Sequence, residues 1–73
     1  MADQTVEAPL AGKVIRVHVQ DGNPVNEGDR LCIIEALKME IPILAPVSGK
    51  VKAIHITAGQ QVEEGAPLVV IES

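Results

Sequence analysis

A chain of 73 residues with a net charge of −4, 47% apolar residues and no Phe, Tyr or Trp excludes several classes of protein. Binders of single-stranded nucleic acid stack bases on aromatic side chains over a basic groove, and this chain has neither, so we expect no nucleic-acid partner. No apolar run approaches the roughly 20 residues that cross a bilayer, so we expect no membrane partner. The N-terminal residues lack the basic and apolar segments of a secretory signal. We therefore expect one soluble, intracellular domain, residues 1–73, monomeric in isolation.

An internal repeat organises the chain. Residues 6–36 align with residues 43–73 at a shift of 37 positions without a gap, and 13 of the 31 aligned positions are identical. The identities run from Ala8/Ala45 to Glu35/Glu72 and include all six glycines. Each half is therefore one structural unit, and we expect an approximate two-fold axis to relate the halves.

Each repeat predicts short strands separated by turns. The segments "KVIRVHV" (13–19) and "KVKAIHI" (50–56) alternate and are rich in β-branched residues, which favours strands. The residues expected on one face are Val17, Val19, Ile54 and Ile56. Turns follow around Gly22 and Gly28, and we expect positive φ angles there, at Gly12 and at the glycines of the second repeat. The segments "RLCIIEAL" and "PLVVIES" are apolar enough to be buried on both faces.

These elements predict an all-β fold. No segment keeps helical periodicity for three turns, and six glycines and five prolines in so short a chain argue against helices. Each repeat is too small to bury an apolar face alone. Two sheets packed as a sandwich or flattened barrel are therefore expected.

The segment between the repeats contains one lysine in an unusual setting. In "EALKMEIP" (35–42), Lys38 lies between Leu37 and Met39, two residue types that are usually buried rather than placed in an exposed turn. The two-fold makes this segment equivalent to the chain termini at the opposite end of the molecule. We therefore expect Lys38 on a hairpin tip far from both termini, which suits the attachment of a group that moves between sites.

"EALKMEIP" resembles the attachment motif of biotinyl carrier domains, which usually reads Glu-Ala-Met-Lys-Met. The resemblance extends over nearly the whole chain, through "APLAGKV", "APVSGKV" and the two V-x-E-G-x-x-L turns. It implies two four-stranded antiparallel sheets related by a pseudo-two-fold, with the attachment lysine on a hairpin tip. Residues 19–25 match residues 56–62 one for one, so the protruding thumb of some relatives is absent.

The resemblance also implies a function. Lys38 is expected to carry biotin in amide linkage, and biotin protein ligase is expected to recognise Glu35, Ala36, Leu37 and Met39. Leu37 stands where the family commonly has Met. The expected role is a carrier, not an enzyme, that shuttles a carboxyl group between biotin carboxylase and carboxyltransferase sites. Such a domain is expected in the cytoplasm, or in an organelle matrix as part of a larger carboxylase.

Two rival functions remain open at this point. A lipoyl carrier shares the repeat fold, but lipoyl domains typically place Asp before the lysine and Ala after it. An unmodified structural domain would leave Lys38 as an ordinary solvated turn residue. We predict no metal site at His18 and His55 because no further ligands are near, and no reactive thiolate at Cys32, which reads as a small buried apolar residue.

Overall fold

The computed structural model describes residues 2–73, which form eight strands. The strands are β1 (Asp3–Glu7), β2 (Gly12–Val17), β3 (Pro24–Val25), β4 (Arg30–Ala36), β5 (Met39–Leu44), β6 (Gly49–Ile54), β7 (Gln61–Val62) and β8 (Pro67–Glu72). They pair into two four-stranded antiparallel sheets, which we name the terminal sheet (β1-β8-β6-β3) and the hairpin sheet (β5-β4-β2-β7). The predicted all-β fold is confirmed. None of the described residues lies in a helix that could cross a membrane.

The two halves of the chain exchange strands. Strand β3 of the first half pairs with β6 of the second, and β7 of the second half pairs with β2 of the first. At the opposite edges of the sheets the pairs also join the two halves, since β1 pairs with β8 and β5 pairs with β4. Neither sheet is therefore complete without both repeats, which is the interlocked arrangement that the predicted two-fold requires.

Both repeats contribute equally to the core. The largest fully buried side chains are Leu31, Ile34, Val14 and Cys32 from the first half, and Leu68, Ile71, Val51 and Val69 from the second. Each pair occupies equivalent repeat positions, and every buried residue among residues 2–73 is apolar. Burying an aliphatic side chain stabilises a fold by roughly 1.5–3 kcal/mol, so packing between the sheets holds the molecule together.

A bulge in each long strand changes which side chains face the core. The pairing of β2 with β4 shifts register between Val14 and Arg16, and the pairing of β6 with β8 shifts between Val51 and Ala53. One extra residue reverses the alternation of a strand. Val14 and Val51 are therefore buried. The residues predicted to share one face also point to the core, since Val19 and Ile56 are buried. Val17 and Ile54 are partly buried and pack against the same core. Alternation alone does not predict the burial of Val14 and Val51.

The glycines fall into two groups. Gly22, Gly28, Gly59 and Gly65 have positive φ angles, as predicted for turns. The same prediction is wrong for Gly12 and Gly49, which begin β2 and β6. A Cβ atom on Gly12 would lie 2.6 Å from Ile34 Cγ2 and 2.7 Å from the Glu35 carbonyl oxygen. These two glycines instead allow a close approach between neighbouring strands.

Replacement of Gly12 by alanine tests this close approach. We expect Gly12→Ala to lower the free energy of unfolding by about 1–3 kcal/mol, because the added methyl group overlaps β4 and forces the strands apart. Urea unfolding followed by far-ultraviolet circular dichroism measures the change. The exposed neighbour Lys13 supplies the control, since Lys13→Ala should alter stability by less than about 0.5 kcal/mol. Equal stability of Gly12→Ala and the wild type would contradict the close-approach argument.

Candidate functional site

The β4–β5 hairpin closes with a two-residue turn that contains Lys38. Ala36 pairs with Met39 at the end of the ladder, which leaves Leu37 and Lys38 as the central residues of the turn. Their φ angles are 53° and 64°. Positive φ at both central positions is the requirement of a type I′ turn, whose twist matches that of the flanking strands. The sequence therefore places the lysine at the outermost point of the hairpin, as predicted.

The turn is built from residues that fit its backbone poorly. Type I′ turns favour Asn-Gly and similar pairs because these residues tolerate positive φ. A bulky L-residue in this conformation costs roughly 1–2 kcal/mol. The paired residues of β4 and β5 hold the turn closed despite this cost, and such costs are found where a site needs a particular side chain. Leu37 is therefore a candidate for a role outside the fold.

The side chains at the tip project into solvent. Leu37 is 87% exposed and Met39 is 65% exposed, and Lys38 is exposed between them. The salt bridge found among residues 2–73 joins Lys52 to Asp3 and leaves Lys38 uninvolved. The Lys38 amine thus projects into solvent with an apolar side chain on each side. This arrangement can present a covalently attached group to a partner protein.

The base of the hairpin is packed on one side and charged on the other. Ala36 is buried, and a Cβ atom on Gly12 would lie 3.3 Å from its methyl group. Its neighbour Glu35 is exposed and lies between Lys13 of β2 and Glu40 of β5 in the pairing register. Directly opposed like charges repel, and Lys13 on the other flank offsets part of that repulsion. Ala36 supports the hairpin, while Glu35 is open to a partner.

The described chain ends lie at the other end of the molecule. The Ser73 N–H donates a hydrogen bond to the Ala2 carbonyl at 3.1 Å, and these residues hold the repeat positions of Ala36 and Met39. Strand β5 leads away from Lys38, and Gly49, at the end of the following turn, lies against the backbone of Glu72. The hairpin tip and the two ends of the chain are thus separated along the long axis, which measures 36 Å.

The remaining candidate residues are not brought together. His18 and His55 are exposed and follow β2 and β6, which belong to different sheets. Within residues 2–73 no group of three His, Cys, Asp or Glu side chains could hold a metal ion. Lys13 and Lys50 are exposed strand residues at equivalent positions of the two repeats.

Comparison with known proteins assigns the chain to a family. The family model described as "Biotin-requiring enzyme" matches residues 4–71. The chain belongs to this family. It is 42% identical over 40 residues to the biotin/lipoyl attachment protein of Bacillus subtilis, an alignment that covers 55% of each protein. It is 48% identical over 40 residues to the gamma subunit of glutaconyl-CoA decarboxylase from Acidaminococcus fermentans, covering 55% of this chain and 28% of that subunit.

A solved carboxylase structure contains the same fold. The Kluyveromyces lactis urea carboxylase superposes with a TM-score of 0.91 and 32% identity over 99% of this chain, which matches 6% of that protein. The predictions of a biotinyl carrier domain and of its barrel-sandwich are therefore confirmed. The chain matches a little over half of the Bacillus subtilis protein and much smaller parts of the decarboxylase subunit and the urea carboxylase.

The strained turn of this carrier domain makes a testable prediction. Leu37→Asn should raise the free energy of unfolding by about 0.5–1 kcal/mol, because asparagine tolerates positive φ better than leucine. Thermal or urea unfolding measures the change. The control is Leu44→Asn, which removes an exposed leucine from the extended backbone of β5 and should not raise stability. A Leu37→Asn protein no more stable than the wild type would contradict the assignment of strain to this residue.

Cys32 supplies a prediction about pH. The side chain is fully buried, and this burial raises the pKa of its thiol from 9.0 to about 11. The unfolded chain therefore loses the thiol proton at lower pH than the folded chain, and stability falls as pH rises from about 9 to about 11. Cys32→Val introduces the residue that the second repeat has at this position, Val69. Urea unfolding of both proteins across this pH range should show a smaller loss of stability in the variant, and equal losses would contradict the prediction.

Proposed function

We propose that Lys38 carries biotin and that the domain moves a carboxyl group between the active sites of a biotin-dependent carboxylase or decarboxylase. The observation that carries this proposal is the position of Lys38, fully outside the fold on a type I′ turn with exposed Leu37 and Met39 beside it. The family match supports biotin as the attached group. Leu37 and Met39 also differ from the Asp and Ala that typically flank a lipoyl lysine, which favours biotin over lipoate.

The attachment is an amide bond formed by the amine of Lys38. The ammonium group must first lose a proton, since only the free amine has a lone pair for attack. The amine then attacks the carboxyl carbon of biotin that has been activated with ATP. The C–N bond forms, the bond to the activating group breaks, and a second proton leaves the nitrogen. We expect biotin protein ligase to supply both the base and the activated carboxyl.

The chain's own contribution after attachment is positioning. Biotin supplies a ureido nitrogen that carries the carboxyl group, and proteins around it orient that chemistry. The β4–β5 ladder holds the tip in one conformation, while the lysine side chain gives the attached group reach and rotation. The opposite placement of the chain ends and the tip lets the attached group enter an active site without a clash from those ends. The proposed partners are biotin protein ligase, a biotin carboxylase and a carboxyltransferase.

The residues beside Lys38 would contribute to ligase recognition in different ways. Glu35, Leu37 and Met39 are exposed and can contact a partner directly. Ala36 is buried against β2, so its small side chain serves recognition by allowing the hairpin to sit where it does. We place the working protein in the cytoplasm or in an organelle matrix, where carboxylase components would meet it.

Replacement of Lys38 tests the attachment site. Wild-type protein incubated with biotin protein ligase, ATP and biotin should gain one biotin by intact-mass spectrometry, and peptide mapping should place it on Lys38. Lys38→Arg should gain none and keep its circular dichroism spectrum and melting temperature, because the residue is exposed and contributes little to packing.

Two matched variants control for the other lysines. Lys13→Arg and Lys50→Arg change exposed lysines at equivalent repeat positions and should be labelled like the wild type. Biotin on Lys38→Arg would refute the site. A wild-type protein that takes up lipoate from a lipoate ligase and no biotin would refute the cofactor, and a protein that takes up neither would leave an unmodified domain.

A further inference from the structure

The turn at Leu37 and Lys38 is the single covalent connection between the two halves of the fold. The first half contributes β1 to β4, and the second half contributes β5 to β8. Four strand pairs join the halves, namely β1–β8, β2–β7, β3–β6 and β4–β5. None of these contacts depends on which chain supplies each half. The first half of one copy and the second half of another can therefore form the same complete unit.

Backbone strain is concentrated in this connection. Within residues 2–73, Leu37 and Lys38 are the non-glycine residues with positive φ angles, at 53° and 64°. Inside the described part of each half, every positive φ angle falls on a glycine, which adopts it without a steric cost. The turns within the halves are therefore relaxed. Steric strain is stored at the point where the halves are connected.

The closed turn gives Leu37 little packing to offset this strain, because its side chain is 87% exposed. An extended backbone suits both turn residues, since a negative φ angle removes the steric conflict between Cβ and the following carbonyl oxygen. Short strained connections of this kind favour the exchange of identical segments between two copies of a chain. Opening the turn would relieve the strain in both copies at once.

The pairing register shows what the opened connection would form. Ala36 lies opposite Met39 in the last pair before the turn. If β4 runs straight on into β5, two copies of the chain pair antiparallel across a two-fold axis in this same register. Leu37 of each copy then lies opposite Lys38 of the partner subunit. All pairs of the hairpin are kept, and the two turn residues gain pairing that the closed turn lacks.

We infer that two copies of this chain exchange halves at Leu37 and Lys38 and form a domain-swapped dimer. Association costs translational and rotational freedom, so the monomer dominates at low concentration and the dimer forms at high concentration. Every contact between the halves must break before exchange, which makes the conversion slow under native conditions. In the dimer, Lys38 lies in a ribbon between two units and no longer on a hairpin tip. The inference goes beyond the proposed function, because it depends on the fold and not on the attached group.

A disulfide across the hairpin distinguishes a swapped dimer from two closed monomers in contact. The full chain with Glu35→Cys, Glu40→Cys and Cys32→Val is refolded from urea under reducing conditions at micromolar to millimolar concentration. Gel filtration separates the dimer, and oxidised glutathione then closes the disulfide. Positions 35 and 40 are directly opposed on neighbouring strands, which is close enough for this bond. We expect the dimer to remain covalently linked on a denaturing, non-reducing gel and the monomer to run as a single chain.

Two further cysteine pairs, each combined with Cys32→Val, test the exchange. Asp3→Cys with Glu72→Cys joins strands of different halves, β1 and β8, and should also link the two copies. Lys13→Cys with Glu35→Cys joins β2 to β4 within the first half, so its disulfide should close inside each chain in both forms. A protein that stays monomeric at every concentration would overturn the inference. A dimer in which the disulfide between positions 35 and 40 closes within one chain would overturn it as well.

Substitutions at Leu37 test whether strain favours the exchange. Leu37→Asn relieves strain in the closed turn, and the dimer contains two such connections, so the apparent association constant should fall roughly fivefold to thirtyfold. Leu37→Val should raise the dimer fraction, because a β-branched residue fits positive φ worse and an extended strand better. Leu44→Asn, in the extended strand β5, is the control and should leave the dimer fraction unchanged. Melting temperatures confirm that each variant is folded, and an unchanged dimer fraction in both Leu37 variants would overturn the inference.

Discussion

The structure depends on a core that neither half of the chain can build alone. Leu31 and Ile34 from the first repeat meet Leu68 and Ile71 from the second, and all four are fully buried. The exchange of β3 and β7 between sheets makes this shared burial obligatory, because each half completes the other's sheet. This small chain contains a single cysteine and therefore has no internal disulfide. Its stability therefore comes from symmetric aliphatic packing.

The same symmetry creates two equivalent ends with different uses. At one end, β8 and β1 are joined by the backbone hydrogen bond between Ser73 and Ala2. At the other end, β4 and β5 are joined by the turn at Leu37 and Lys38. The core supports both ends alike. Differences between them are therefore not demanded by folding, and we attribute them to function. The use of Leu37 and Lys38, rather than residues that favour positive φ, in the turn is the clearest of these differences.

Much of this architecture is predictable from sequence because the repeat can be read directly. The gapless alignment predicts two equivalent units, and the boundary between them predicts the exposed position of Lys38. Two features of the fold cannot be predicted from the repeat. The bulges in β2 and β6 bury Val14 and Val51 against the simple alternation, because a bulge depends on pairing with another strand. The role of Gly12 in close packing also depends on β4, which is distant in sequence.

The positive φ angles of Leu37 and Lys38 could not be predicted either, since neither residue favours a type I′ turn. The pairing of β4 with β5 overrides that local preference. It forces Leu37 and Lys38 into positive φ and places the lysine at the exposed tip. We have proposed that this exposed lysine carries biotin in the working protein. Peptide mapping by mass spectrometry of the protein isolated from the cells that produce it tests this most directly. We expect biotin on Lys38 and on no other lysine, and an unmodified or lipoylated Lys38 in the isolated protein would refute the proposed attachment.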